Sequence, residues 1–391
     1  MILTNKQEEG LRTAVDRYKH REPWTCISGF AGSGKSTLIK FIIDALNLNP
    51  LEDVAYCTFT GKAAQVLRQK GCPNAMTAHR LLYYAKPTPN GKFIYTPRSS
   101  IEFKVVVVDE VSMLSKDLWE LLLSHGVYII ACGDPEQIPP INKNDNNYVL
   151  ERPHVFLDEI MRQAQESEII RLSMDIREGR NIQYQKGKEV QVVSPSEIVG
   201  GMYTWADQII TATNNTRQQI NNMMRAAAGR SENPEPGDKI ICCRNCWDIS
   251  DTTGENALVN GTIGYITTIQ DIDFQYPHFS LPKVPLYFTG MRTEYGDQFE
   301  GIPIDQKTIL EGKKFLTPQQ EYLFFKSPSL RSQQAPIEFN YGYAITAHKA
   351  QGSSWDKVMV IEERFPFERQ EHKRWLYTAV TRAAQKLVLV R

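Results

Sequence analysis

No stretch of the chain approaches the roughly 18 consecutive apolar residues that a membrane-spanning helix needs, so a helical membrane protein is not expected. The opening residues, Met1 to Gly10, are polar and lack the apolar centre of a secretory signal, which favours a cytoplasmic protein. Net charge is also absent, with 45 basic and 45 acidic residues. Neutrality removes charge as an argument for a polyanionic partner, although a local basic groove can sit on a neutral molecule. Cysteine is sparse: seven residues, an odd number, mostly scattered, which suits a reducing compartment and not a disulfide framework. Cys26 and Cys132 lie in apolar runs where a thiol serves as a small core residue. Cys243 and Cys246 have C-x-x-C spacing, but no second pair stands nearby to complete the about four ligands of a zinc site. There is no internal repeat and no low-complexity segment.

What is present fits a soluble globular chain of two or three domains: 391 residues, 41% hydrophobic and 23% charged. In the first 150 residues, short β-rich runs alternate with helical stretches. Residues 24–28, 54–58, 104–108 and 127–132 read as buried parallel strands, and 36–46 and 61–70 as helices. That alternation predicts a parallel sheet covered on both faces. Residues 86–100 differ, with three prolines and an Asn90-Gly91 pair, the signature of a tight hairpin. A second α/β stretch begins near Asp158, with a strand at 208–213 and a helix at 216–228. Residues 234–336 are rich in Gly, Pro and aromatics, with short strands such as 239–243 and 262–269, which suggests a small β-barrel. Helix–strand patterning returns at Tyr343. The expected division is 1–85 with 101–157, a hairpin at 86–100, 158–235 with 337–391, and a barrel at 236–336.

Gly29-Phe30-Ala31-Gly32-Ser33-Gly34-Lys35-Ser36 fits G-x-x-x-x-G-K-[ST] between a predicted strand and helix, the context of a P-loop. Gly29, Ala31, Gly32, Ser33, Gly34, Ser36 and Thr37 would surround the phosphates of ATP, where backbone N–H groups and a helix N-terminus favour negative charge. Lys35 would meet the β- and γ-phosphates, and Ser36 would ligate Mg²⁺. Four valines, Val105 to Val108, then deliver Asp109 and Glu110 to a strand's C-terminal end, where open α/β sheets bind ligands. Asp109 would hold Mg²⁺, directly or through water, and Glu110 would accept a proton from the attacking water or orient it. No further carboxylate cluster resembles a two-metal nuclease centre.

The remaining motifs carry a resemblance. Leu3 to Gln7, Thr58 to Ala64, Thr77 to Leu82, Gly133 to Pro140, Glu159 to Ala164, Thr213-Asn214 through Asn221, Thr346 to Gly352 and Tyr377 to Ala383 follow one another as do the motifs of superfamily 1B helicases. The chain resembles the RecD-like group and the compact phage Dda type over nearly its whole length. The resemblance implies two RecA-like parallel-sheet domains, with the hairpin inserted in the first and the barrel in the second. It implies Gln7 as adenine reader, Gln137 as sensor of the γ-phosphate, and Arg162 and Arg382 as arginine fingers. A guanidinium suits that role because charge develops on the equatorial oxygens of the transferred phosphoryl group. Thr60, Lys62, Thr77, His79, Asn214, Thr346, His348 and Lys349 are candidates for the DNA backbone. Thr60 and Thr77 also suit helix caps, and His348 an interior position. Phe93 or Tyr95 on the hairpin would be a wedge at a fork, unless the hairpin simply packs on its own domain.

The implied activity is ATP-dependent 5′→3′ translocation on single-stranded DNA with unwinding of duplex; the direction rests on the resemblance alone. Implied partners are single-stranded DNA and duplex junctions, with a single-strand-binding protein or replication proteins beside them and no membrane. A monomer fits, cytoplasmic and, if phage-encoded, working in the host. Ser353, Ser354 and Trp355 depart from the pattern, because many relatives place an acid and a phenylalanine there. The start at the Gln7 motif, without the N-terminal domain of RecD subunits, points to a stand-alone Dda-like machine. A superfamily 1 RNA helicase or remodeller would carry the same motor parts and differ in contacts to the 2′-OH. A non-unwinding P-loop ATPase acting as a translocase or switch would lack a second motor unit, as a lapsed binding module would lack Lys35, Asp109, Glu110 and Arg382.

Overall fold

The computed structural model describes residues 3–59, 61–69, 71–87, 93–139, 148–161, 166–254, 256–330, 333–364 and 368–391. Its first eight strands are β1 (Trp24–Gly29), β2 (Val54–Thr58), β3 (Ala75–Thr77), β4 (Tyr83–Pro87), β5 (Phe93–Pro97), β6 (Val105–Val108), β7 (Tyr128–Gly133) and β8 (Val155–Leu157). Six of them form one sheet in the order β3-β2-β6-β7-β1-β8, parallel throughout. The apolar runs that read as strands alternate between its faces. Val105 and Val107 join one core beneath α1 (Asn5–Lys19), α2 (Lys35–Ala45) and α3 (Gly61–Gln69). Val106 and Val108 join a second core beneath α4 (Ala78–Leu82) and α5 (Lys116–Ser124), because successive side chains of a strand point oppositely. A continuous apolar run is therefore what a sheet covered on both faces requires. Cys26, Cys57 and Cys132 are buried in these cores, and burial pushes the Cys26 and Cys57 thiols up to about 12.

A second six-stranded sheet contains β9 (Gln185–Lys186), β10 (Val190–Val193) and β11 (Gln208–Thr211). After an intervening segment with seven more strands it is completed by β19 (Ala344–Thr346), β20 (Trp355–Ile361) and β21 (Ala383–Val390). Its order is β19-β11-β20-β21-β10-β9; the pairs β11–β20, β20–β21 and β21–β10 are parallel, and β9 is an antiparallel edge. The helices α6 (Glu168–Glu178) and α7 (Gly200–Trp205) lie in this half of the sequence, with α8 (Asn214–Ala227) after β11.

The intervening segment carries β12 (Lys239–Cys242), β13 (Cys246–Ser250), β14 (Ala257–Leu258), β15 (Ile263–Gln275), β16 (Lys283–Thr293), β17 (Gln298–Asp305) and β18 (Phe339–Tyr341). Five of these form the antiparallel sheet β17-β16-β15-β12-β18. A parallel bridge between Ile304 and Ile337 links β17 to the residues before β18. Two short helices, α9 (Gln306–Glu311) and α10 (Pro318–Lys326), complete it, ahead of α11 (Ala347–Ala350) and α12 (Arg369–Val380) near the C-terminus. The expected strand at 262–269 runs on to Gln275, as one arm of a long hairpin.

The chain gathers into two units. The first is Met1–Tyr83, Pro97–Ala212 and Thr346–Arg391, and so holds the first sheet and, β19 aside, the second. The second is Tyr84–Thr96 and Thr213–Ile345. Near the expected hairpin at 86–100, β4 and β5 form a two-stranded sheet; Asn90 and Gly91, on which that expectation rests, lie outside the described residues. Among the described residues no helix is long and apolar enough to cross a membrane.

Candidate active site

Three neighbouring strands of the first sheet, β6, β7 and β1, end side by side at their carboxyl edge. At strand spacings of about 4.8 Å this brings Asp109–Glu110, Asp134–Gln137 and the P-loop to one place. Gly34 is the N-cap of α2 and has φ +81°, a left-handed angle that suits glycine, and a Cβ there would lie 2.4 Å from Gln7 Nε2. Gly29 is equally constrained, since a Cβ would meet Ser33 Oγ at 2.7 Å and Leu157 O at 2.8 Å. Lys35 Nζ donates to the carbonyls of Gly29 (2.6 Å) and Phe30 (3.0 Å), so the lysine head lies over the loop. Ser33 Oγ is buried with no hydrogen-bond partner. Gln7 is buried. It closes a capping box with Thr4, and its Nε2 donates to Ser33 O and Met161 Sδ, both at 3.3 Å. Its amide thus braces the P-loop.

Asp109 Oδ1 accepts from the Glu110 N–H at 3.0 Å. Glu110 has φ 53° and ψ 47°, the left-handed region, which a residue other than glycine rarely adopts. Burial pushes its carboxyl above the ordinary carboxylate range; Arg382 opposes this, Asp109 adds to it, and the Gly352 N–H and Lys35 oppose it. Burial likewise holds the Cys132 thiol up, with Asp109 raising and Lys35 lowering it. Lys35 and Asp109 are therefore both within electrostatic reach of the same neighbours.

Arg382, at the end of α12, reaches this site from the second sheet. Its Nη1 lies 3.6 Å from Glu110 Oε1. The guanidinium is held by Thr378 O (3.1 Å), Ser353 O (3.3 Å) and Thr381 Oγ1 (3.2 Å). Ser353, which departs from the pattern of relatives, thus positions Arg382 through its backbone, which any side chain allows.

Several residues without an assigned role complete the arrangement. Tyr377 OH donates to Asp134 Oδ2 (2.6 Å) and accepts from the Ala31 N–H (2.9 Å), tying α12 to the P-loop. Ile138 N–H donates to Thr378 Oγ1 (3.0 Å), and Gln351 Nε2 to Ile138 O (2.8 Å). Tyr377, Asp134, Thr378 and Gln351 all lie within the motifs, but motif identity did not say which residues meet. Arg177 on α6 stacks on Phe30 at 3.6 Å with no motif to signal it. Gln137 follows Asp134 at the end of β7, half-buried, its N–H on Asp134 O at 3.3 Å.

The candidate nucleic-acid residues divide. Thr77 caps α4 by accepting from the Arg80 N–H at 3.2 Å. His79 stacks near Tyr83, at 6.0 Å between ring centroids. Burial lowers the pKa of both His79 and His348, which favours the uncharged imidazole. Thr346, His348 and Lys349 follow β19 as Thr77 and His79 follow β3, each set at the carboxyl end of its strand. Asn214 is exposed at the start of α8, in the second unit. Thr60 and Arg162 lie outside the described residues, as do the side chains of Lys62, Phe93 and Tyr95.

A P-loop, a strand-end acidic pair and an arginine brought from a second α/β sheet define a P-loop ATPase of the two-sheet kind. Residues 3–195 match the AAA domain family and residues 341–390 the UvrD-like helicase C-terminal domain. Together the two matches give the domain pair of the superfamily 1 helicases, and the chain is related to the RecD2 and Dda types. It is 25% identical over 393 positions to the ATP-dependent RecD2 DNA helicase of Deinococcus radiodurans, covering 92% of this chain and 46% of that protein. The chain thus spans less than half the length of that relative. It is 29% identical over 150 residues to the ATP-dependent DNA helicase Dda of Enterobacteria phage T4, covering 37% of this chain and 34% of that protein. In fold it is similar to the Pif1 helicase from Bacteroides in complex with ADP-AlF3 and ssDNA, with a TM-score of 0.55, 16% identity, and coverage of 100% of this chain and 92% of that one.

Proposed function

We propose that the chain is an ATP-dependent 5′→3′ DNA helicase that moves along single-stranded DNA and separates duplexes. The approach of Glu110 and Arg382, two groups from different sheets, to 3.6 Å beside the P-loop carries this reading. A phosphate site built from two sheets can convert the charge on a nucleotide into relative movement of the sheets, because a guanidinium on one is drawn to phosphate oxygens held by the other.

In this reading the P-loop amides and Lys35 bind the phosphates, and Gln7 lies beside the base. Ser36 and Asp109 offer the hard oxygen donors that suit Mg²⁺. Among the described residues no group of three or more His, Cys, Asp or Glu could hold a metal. That fits an ion held by one carboxylate, one hydroxyl and the nucleotide in place of an all-protein cage. When bound, it would neutralise phosphate charge. Glu110 takes the proton of the attacking water as its oxygen bonds to the γ-phosphorus and the bond to the β–γ bridging oxygen breaks, with ADP leaving. Gln137 orients the water, and Arg382 meets the charge on the equatorial oxygens, joined by Arg162.

Thr60, Lys62, Thr77, His79, Asn214, Thr346, His348 and Lys349 contact the backbone of the strand. The β4–β5 hairpin is the wedge, through Phe93 or Tyr95, and the five-stranded sheet with its Ile304–Ile337 bridge is a small barrel that accompanies the strand. The relatives' names favour DNA over RNA. A monomer working in the cytoplasm with single-strand-binding or replication proteins completes the proposal.

Duplexes with a 5′ or a 3′ single-stranded tail, incubated with ATP and Mg²⁺, test it. The 5′-tailed duplex is expected to unwind and the 3′-tailed one not, and Lys35→Ala removes both unwinding and DNA-stimulated hydrolysis. Unwinding of neither, with hydrolysis indifferent to single-stranded DNA, overturns the motor. Preference for the 3′ tail overturns the direction.

A further inference from the structure

The loop 276–282 between β15 and β16 turns an aromatic ring outward on a rigid support. Phe279 is 98% exposed, whereas the next most exposed large hydrophobic among the described residues, Leu51, is 64% exposed. The loop around it is pinned at both ends. Tyr276 is buried against Phe274 and Phe324, at 4.8 and 4.7 Å between centroids, and its OH donates to Gln334 O. Leu281 is buried in the same small core. Gln275 Nε2 spans the loop mouth, donating to Tyr276 O (3.1 Å) and Leu281 O (3.2 Å). Within the loop, His278 accepts at Nδ1 from the Ser280 N–H (3.2 Å), and its carbonyl accepts from the Leu281 N–H (3.1 Å). The His278 ring therefore has a set orientation, and Phe279 lies over it at 5.0 Å with an interplanar angle of 14°.

A chain that buries Tyr276 and Leu281 on either side of Phe279 forgoes burying the ring between them. The surroundings say what kind of ligand suits it. Pro277, Ser280, Pro282 and Lys283 in and beside the loop are exposed, a mixture of apolar, polar and charged side chains. A single flat ring backed by a second ring, in a loop that leads into exposed Lys283 at the start of β16, matches an unpaired nucleobase on its phosphodiester backbone. We propose that His278 and Phe279 form a stacking platform for an unpaired base, giving the second unit a nucleic-acid contact that no helicase motif marks. This rests on the reading of the chain as a nucleic-acid motor.

The test is fluorescence anisotropy of the full chain with labelled oligothymidylates of about 20 nucleotides, intact or with one abasic position moved along the strand. Phe279→Ala is expected to weaken binding of the intact strand about 5- to 150-fold, the range of one base stacked on one ring. Phe279→Trp restores it. One abasic position costs the natural protein the same factor and costs Phe279→Ala nothing further, the signature of a shared contact. Natural affinity in Phe279→Ala, or an abasic penalty equal at every position and unchanged by the variant, overturns the platform alone. Loss of self-association in Phe279→Ala with unchanged affinity assigns the ring to a second copy and also overturns it. Failure of the natural protein to bind any strand overturns the platform and the motor reading together.

Discussion

Glu110 sits in a left-handed conformation at a strand end, a position that costs roughly 1–3 kcal/mol for a residue other than glycine. The strain holds its carboxyl beside Asp109 and Arg382, where burial raises its pKa. As the proposed base it must be ionised, so turnover is expected to fall as pH drops through a value above the usual carboxylate range of about 4. Because Arg382 is the principal group opposing that shift, Arg382→Gln moves the acid limb of the kcat profile to higher pH. Stability has the opposite sign. The folded carboxyl holds its proton more tightly than the unfolded one, so its contribution declines as pH rises from the unfolded pKa through the folded one. Glu110→Gln should therefore raise Tm at neutral pH while abolishing turnover, and an unchanged acid limb in Arg382→Gln would count against the pairing.

Among elements, α8 is attached by charge as well as by apolar packing. Arg225 pairs with buried Asp238 through Nε–Oδ1 at 3.1 Å and Nη2–Oδ2 at 3.2 Å, and it donates to the carbonyls of Glu232 and Asn233. Tyr343 OH adds a 2.8 Å bond to Asp238, and Asn221 of the same helix clasps the backbone of Tyr341 and Ala344. Removing one partner of a buried pair costs about 3–5 kcal/mol, a cost that Arg230, 3.4 Å from Asp238 Oδ1, reduces here. Arg225→Met should lower the unfolding free energy of the second unit, measured by denaturant titration, by up to about 3–5 kcal/mol, and a loss under about 1 kcal/mol would place Arg225 among surface ion pairs. The helix itself was legible from its polar-apolar period. Its pairing with Asp238 was not, because a salt bridge between residues 13 apart leaves no periodic trace.

At the scale of the whole molecule, polar contacts between the two large sheets among the described residues include Tyr377 to Ala31 and Asp134, Thr378 and Gln351 to Ile138, and Arg382 to Glu110, beside the stack of Arg177 on Phe30. Hydrogen bonds and ion pairs that meet at the phosphate site can be remade when the charge there changes. Tyr377→Phe removes the hydroxyl that joins the P-loop to Asp134. It should reduce the stimulation of ATP hydrolysis by single-stranded DNA more than hydrolysis without DNA, measured as the ratio of the two kcat values. An equal loss in both would make Tyr377 a merely structural residue.

The phosphate-binding loop, the acidic pair and the strands beneath them follow from the order of residues alone. Each is local: glycines at fixed offsets permit one backbone path, and four consecutive valines suit a strand buried on both faces. Motif order added the expectation of a second sheet. Which side chains meet, the gathering of the first sheet and most of the second into one unit, and the exposure of Phe279 between two buried neighbours came only from the packing. Those outcomes depend on how distant segments pack, and packing is a property of surfaces that are adjacent in space and not along the chain.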